Sequence, residues 1–325
     1  MKRDVPCFPG SPALRRVRRR VVVLLDEMER PKEMNRRSFL KWTVGAGAVA
    51  AAGARHVLAE STPLFTFAVV ADPHLREDDR QCECTGVENF AKVVRKIKAL
   101  PKDRSPDFML ICGDLHVEKM QEALADLTIP AHVVAGNHES RKHRAQLREM
   151  FPGDFQGKDF YSFRHKDCKF IGLCDAIRGD HVGHMSSEDI TPKVGQCEWL
   201  ERELADGDSR HTFLFGHIPP HPEGKDLNMY LGRNDSRYML DIVGKRRPTA
   251  LFFGHQHRSL TFDIGRSKCF VVPSSNWNMG FRVPIGFLHV KVLPDRIDTD
   301  FIETGPADTE RYKVYLENYQ KTRKR

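Results

Sequence analysis

Five short apolar runs of this 325-residue chain each lead into a histidine, an aspartate or an asparagine, and that recurrence constrains the fold more than any other feature. Leu64 to Val70 leads into Asp72-Pro73-His74, Phe108 to Cys112 into Gly113-Asp114, and Ala131 to Val134 into Gly136-Asn137-His138-Glu139. Phe213 to Phe215 leads into Gly216-His217, and Leu251 to Phe253 into Gly254-His255-Gln256-His257. Runs of this length, rich in Val, Ile, Leu and Phe, read as buried strands. Groups at their carboxyl ends stand where open α/β sheets place their chemistry. Gly136 reads as a residue that frees the backbone for a sharp turn, and Glu139 as a partner that orients the His138 imidazole. Any one of these polar residues also fits a capped turn or a surface position; the case for a site rests on five of them in series.

The intervening segments supply the rest of an α/β domain. Val87, Phe90, Ala91, Val94, Ile97 and Leu100 fall at helical spacing ahead of Pro101, so the first two strands are expected to be parallel with this helix as their crossover. Val117 to Leu127 reads as a second helix, and Gln196 to Leu204 as an amphipathic one. Tyr161 to Arg164 and Lys169 to Leu173 flank a His-Lys-Asp turn and read as a hairpin. Strand-like runs follow at Cys269 to Val272, Phe287 to Val292 and Ile297 to Ile302, and no internal repeat is visible. A βαβ half followed by a β-rich half predicts two sheets face to face with helices outside.

Taken in order, Asp-x-His, Gly-Asp, Gly-Asn-His-Glu, Gly-His and Gly-His-x-His resemble the calcineurin-like metallophosphoesterase superfamily over roughly Phe65 to Ile302. The resemblance implies an α/β fold, a four-layer αββα sandwich of two mixed sheets with flanking helices, and two divalent or trivalent metal ions. Carried over motif by motif, it assigns Asp72, His74 and His257 to the first ion and Asn137, His217 and His255 to the second, with Asp114 bridging them. His138 then donates a proton to the leaving oxygen, and a hydroxide between ions about 3.5 to 4 Å apart attacks phosphorus. Imidazole, carboxylate and carboxamide donors suit Mn, Fe or Zn.

The nearest branch is the bacterial cyclic-nucleotide and glycerophosphodiester phosphodiesterase-like group, where a Gln followed by Trp-Leu, here Gln196 and Trp199-Leu200, is also common. A small phosphoester is therefore the expected substrate, hydrolysed by a phosphodiesterase or nucleotide phosphatase. The alternative is a non-catalytic binding scaffold of the same fold; such scaffolds lose ligands or the Gly-Asn-His histidine, and none is missing. Val117 stands where purple acid phosphatases place a tyrosine, so no tyrosinate-iron colour is expected. His116 lies outside the usual pattern and, like His181, His184 and His221, reads as a surface or rim histidine. Trp277, within Asn276-Trp277-Asn278, reads as packing.

Net charge is +8 and the pI about 9.1, yet position matters more than the sum. Residues 1–33 hold nine Lys/Arg and five Asp/Glu, and residues 34–59 hold four and none, leaving 39 of each sign in 60–325. A neutral body offers no phosphate-tracking surface, so no nucleic-acid partner is expected. Asn35-Arg36-Arg37-Ser38-Phe39-Leu40-Lys41 followed by the mild apolar run Trp42 to Ala54 resembles a twin-arginine signal, with Val57-Leu58-Ala59 as a cleavage site before Glu60. The run is too short and too weakly apolar to be a stable membrane anchor. The expected partner is the twin-arginine export machinery, and the expected location is periplasmic or otherwise extracytoplasmic.

The domain organisation expected is a non-domain extension over 1–33 with Met34 as the true start, the signal over 34–59, a metallophosphoesterase domain over 60–304 and a basic tail over 305–325. Of eight cysteines only Cys7 precedes the signal, and the odd remainder argues against a fully paired disulfide framework. Nothing in the sequence bears on oligomeric state. Replacing Arg36 and Arg37 by Lys is expected to retain the precursor in the cytoplasm while the purified enzyme keeps its activity; fractionation that finds undiminished mature protein outside the inner membrane would refute the signal.

Overall fold

The computed structural model describes residues 62–76, 81–311 and 313–314. The signal, residues 1–33 and most of the basic tail lie outside these. Two sheets form the body. The first has strand order β11-β10-β1-β2-β3, with β1 (Phe65–Ala71), β2 (Met109–Cys112) and β3 (Ala131–Val134) parallel, and β10 (Ile285–Val292) and β11 (Ile297–Gly305) added antiparallel. The second has the order β4-β5-β6-β7-β9-β8. In it β5 (Cys168–Gly172), β6 (His211–Phe215), β7 (Ala250–Phe253) and β9 (Ser267–Val271) are parallel, with β4 (Tyr161–His165) and β8 (Leu260–Ile264) antiparallel at its edges. The expected α/β sandwich of two mixed sheets is the observed architecture.

Alternation along the strands explains why two layers of apolar side chains exist at all. In the second sheet Phe170, Phe213, Phe215 and Phe252 turn toward the first sheet, while Ile171, Leu214, Leu251 and Phe253 join a separate cluster with Leu200, Met239, Ile242 and Val243. Those last four come from α5 (Gln196–Ala205) and α6 (Arg233–Arg246), which cover the outer face. Between the sheets, Phe67 stacks on Phe108 at 5.3 Å and meets Phe170, Phe213 and Phe252 edge-on at 5.3, 5.5 and 5.7 Å.

Local sequence sets the element ends. Thr85 and Glu88 form a capping box at the start of α1 (Gly86–Lys98), which buries Phe90, Val93, Val94 and Ile97. The expected helix over Val117 to Leu127 is shorter than the spacing suggests. A 3-10 turn at Val117–Lys119 follows a left-handed His116 (φ 58°), and only Met120–Leu124, here α2, is α-helical. The hairpin appears as β4 and β5, and α3 (Arg141–Met150) and the short α4 (Pro152–Phe155) precede it. All seven cysteines among the described residues are free. No helix among the described residues is long and apolar enough to cross a membrane.

The Phe67 ring fills the space where the sheets face each other, so Phe67→Ala leaves a cavity among the rings of Phe65, Phe108, Phe170, Phe213 and Phe252. Its expected cost is about 3 to 5 kcal/mol, read as a lower denaturation midpoint. A change under about 1 kcal/mol would show that the two sheets do not depend on this layer.

Candidate metal centre

Every strand that the sequence marks with a polar end is parallel within its sheet, and the ends of β1, β2 and β3 meet those of β6 and β7. Side chains that are distant in sequence converge there. Asp72, His74, Asp114 and His257 can bring one ligand atom each within 4.8 Å of one another, and Asp114, His217 and His255 form a second such group. Asp114 belongs to both. His74 Nε2 lies 3.5 Å from Asp114 Oδ2 and 3.1 Å from His257 Nε2. On the other side His217 Nε2 lies 3.3 Å from Asp114 Oδ1, 3.1 Å from Asn137 Oδ1 and 3.2 Å from His255 Nδ1. All seven side chains assigned from the resemblance are buried. His138 is different: it is 40% exposed, with Nε2 3.8 Å from Asp114 Oδ2.

The loops reach this arrangement through left-handed backbone at Asp72 (φ 47°), His74 (φ 40°), Asp114 (φ 53°), His255 (φ 66°) and His257 (φ 47°), none of them a glycine. Such conformations cost of order 1 kcal/mol each and persist only where the surroundings over-determine them. Hydrogen bonds supply that determination. Both oxygens of Asp72 accept the His255 N–H at 3.0 and 2.9 Å. Asp114 Oδ1 accepts the His138 N–H at 3.1 Å.

Two sequence expectations need correction here. Gly136 has no positive φ; it is required because a Cβ would come within 2.3 Å of the Asp114 backbone N and Oδ1. The left-handed glycine is Gly113 (φ 81°). Glu139 does not hold the His138 ring. Its Oε1 accepts the N–H groups of Leu115 and His116 at 3.1 and 3.2 Å, and its Oε2 accepts that of Gly136 at 2.8 Å, so it clamps the Gly-Asp loop to the Gly-Asn-His loop.

The sequence expectations did not include Asp175, although it obeys the same rule, since β5 ends at Gly172 and the chain continues through Leu173-Cys174 into Asp175. It is fully buried and accepts the His217 N–H at 3.0 and 3.1 Å and the Ile218 N–H at 3.1 Å. Gln196 fixes the same loop by accepting from Cys174 N and donating to the Cys174 and Met185 carbonyls, each at 2.8 Å. Asn276 and Asn278 are buried, and Trp277 packs on His257 with centroids 4.2 Å apart. Of the remaining loop histidines, His181 contributes a backbone carbonyl to His255. His184 pairs with Asp180, and His221 packs on Tyr230, both away from the cluster.

Electrostatics match the chemistry of a cation site. Burial, and then the neighbouring Asp114 charge, push the Asp72 carboxyl well above the ordinary carboxylate range, and burial raises Asp114 as well. Burial holds His217 and His257 down to about 3 and His255 to about 2, and lowers His74 too. The imidazoles are thus neutral and free to ligate. Neither Asp72 nor Asp114 is paired with a Lys or Arg.

Comparison with known proteins agrees with this geometry. The calcineurin-like phosphoesterase family pattern matches residues 65–259, and the twin-arginine translocation signal pattern matches 33–53. Over 257 residues the chain is 25% identical to a "probable cyclic nucleotide phosphodiesterase" of Synechococcus sp., covering 73% of this chain and 94% of that one. Over 205 residues it is 39% identical to the 3',5'-cyclic adenosine monophosphate phosphodiesterase CpdA of Escherichia coli, covering 58% and 67%. A dimetal phosphatase from Danio rerio shares the fold with a TM-score of 0.55 at 16% identity, covering 75% of this chain and 98% of that one. The chain belongs to the calcineurin-like phosphoesterase family and is a metal-dependent phosphoester hydrolase exported by the twin-arginine route.

Proposed function

We propose that the protein hydrolyses small phosphodiesters outside the cytoplasm, with cyclic nucleotides as the first class to try and nucleotide monoesters as the second. The observation that carries this reading is Asp114, one carboxylate shared by two groups of buried nitrogen and oxygen donors. Asp72, His74 and His257 with Asp114 would hold one ion, and Asn137, His217 and His255 with Asp114 the other. The residues fit such ions: the imidazoles are neutral, and the two carboxylates are buried with no Lys or Arg paired to them, a costly state that a bound cation would relieve. Ions held by these residues would supply positive charge that lowers the pKa of a bound water and offsets the charge on the phosphoryl oxygens. The names of the cyclic nucleotide phosphodiesterases it resembles favour a diester, and export favours scavenging over control of a cytoplasmic signal.

His138 is the residue of the set that both touches the cluster and reaches solvent. We assign it the proton given to the leaving oxygen. An alkyl ester leaves as a poor alkoxide and needs that proton, whereas p-nitrophenolate does not. His138→Ala is therefore expected to keep both ions and to slow an alkyl diester about a hundred to ten thousandfold, with a much smaller loss on bis-p-nitrophenyl phosphate. Equal losses on both esters, or release of an ion, would remove His138 from this role. Absence of turnover on any mono- or diester with Mn, Fe or Zn present would favour the scaffold alternative.

Ion binding must also follow pH in a stated direction. Burial lifts Asp114 to about 6, and Asp72 is raised too, so in the ion-free fold protons compete with the ion for these carboxylates as pH falls through that region. His217 and His257, held neutral down to about 3, and His74 and His255, which burial also lowers, do not compete there. Affinity is thus full above the raised carboxylate range and weakens by up to about tenfold for each proton displaced per pH unit below it. The gain in Tm of loaded over chelated protein is expected to be larger at pH 8 than at pH 5. A gain that is flat or grows toward acid would show that Asp72 and Asp114 are not the ligands.

A further inference from the structure

Four histidines enter the metal centre, and each has a second ring nitrogen that points away from it. A ligand imidazole needs an acceptor for the N–H on that outer nitrogen, because the contact fixes the tautomer and the ring direction. Three of the four use backbone carbonyls. His217 Nδ1 reaches Cys112 O at 2.9 Å, His255 Nε2 reaches His181 O at 3.2 Å, and His257 Nδ1 reaches Trp277 O at 2.7 Å. His74 alone uses a side chain, its Nδ1 lying 3.4 Å from Nε2 of His116.

His116 is held where this contact requires. Its left-handed backbone (φ 58°, ψ 76°) is one that glycine would adopt without strain, yet an imidazole is kept there. The His116 N–H donates to Glu139 Oε1 at 3.2 Å, so the clamp that joins the two loops also sets the His116 backbone. Alongside, the His74 N–H donates to Asp114 O at 2.9 Å and the Leu75 N–H to Leu115 O at 3.3 Å, which keeps the two loops in step.

We propose that His116 is a positioning residue for His74: its Nε2 accepts the His74 Nδ1–H and thereby aims His74 Nε2 at the ion it shares with Asp72, Asp114 and His257. The inference rests on the metal-centre reading above. It makes the two ion sites unequal, since every outer nitrogen on the His217 and His255 side is held by backbone that no substitution removes.

The test equilibrates the loaded full-length chain with graded chelator and Mn2+ and counts bound ions against free Mn2+. Wild type is expected to hold two ions. H116A should keep one at the wild-type midpoint and lose the other at a free Mn2+ about 10 to 100 times higher. H116Q, whose amide oxygen stands near the place of Nε2, should recover most of the loss, and H116N, whose oxygen is too short to reach, should not.

Circular dichroism and Tm of the chelated variants separate misfolding from a local effect, and the H116Q against H116N contrast keeps the test decisive if H116A folds poorly. Two ions with unchanged midpoints in H116A would overturn the proposal and leave the metal centre standing. Equal weakening of both ions, or no difference between H116Q and H116N, would also overturn it, as would a third ion in wild type that H116A loses. Wild type that binds no ion would sink the metal-centre reading and this inference together.

Discussion

Two sheets can share one site only if their strand ends meet on a common group, and in this protein that group is the Asp114 carboxylate. Its neighbourhood is built around it. Gly113 takes a φ of 81° to deliver it, and Gly136 lacks a side chain because a Cβ would strike it. The His138 N–H steadies one of its oxygens. Glu139 ties the Asp114 loop to the loop that carries Asn137, and so fixes the distance between donors of the first sheet before the second sheet contributes any. The second sheet then adds His217, held by Asp175, and His255, held by Asp72 of the first sheet. The bond from His255 to Asp72 crosses between the sheets, as does that from His217 to the Cys112 carbonyl, so the site also couples the two layers at this edge.

That coupling is expensive without a cation. Carboxylates at Asp72, Asp114, Glu139 and Asp175 are all buried within a few bonds of one another, and desolvation raises each of them. Left-handed backbone at Asp72, His74, Asp114, His255 and His257 adds strain of order 1 kcal/mol apiece. The aromatic layer around Phe67 and the alternating apolar faces of β5, β6 and β7 lie directly beneath, and their burial offsets these local costs. The same sequence grammar therefore does two things: the apolar run stabilises the fold, and the polar residue after it uses part of that stability to hold a strained donor.

Much of this was legible in the sequence because the information is local. Apolar runs, the α1 spacing before Pro101 and the hairpin around Lys166 each sit in a window of a dozen residues, and each appears where expected. What was not legible is non-local or conformational. Nothing in Phe287 to Val292 announces that β10 pairs with β1 in the first sheet. α6 was missed because only Met239, Ile242 and Val243 with Ser236 are buried along it and its N-cap is a glycine. Gly136 and Glu139 were assigned the wrong tasks because a one-dimensional reading sees a turn and a neighbouring ring, whereas the structure sees a steric limit and a clamp. Asp175 was readable in principle, since it follows its strand as Asp114 does, but it carries no histidine beside it and was passed over.

Exposure then divides the histidines in keeping with the tasks proposed for them. An imidazole that ligates must stay neutral, and burial enforces that on His74, His217, His255 and His257. An imidazole that gives up a proton in each turnover must recover one from water, so it has to keep a face in solvent. His138 has that face, and it reaches Asp114 from the same loop that supplies Asn137. Adjacent residues of one turn can thus serve opposite requirements, because the backbone after β3 sends Asn137 into the dry interior and leaves His138 at its mouth. The Gly-Asn-His order is in this sense a spatial statement: the glycine lets the loop approach the carboxylate, the asparagine adds a donor without adding charge, and the histidine stands at the boundary with water.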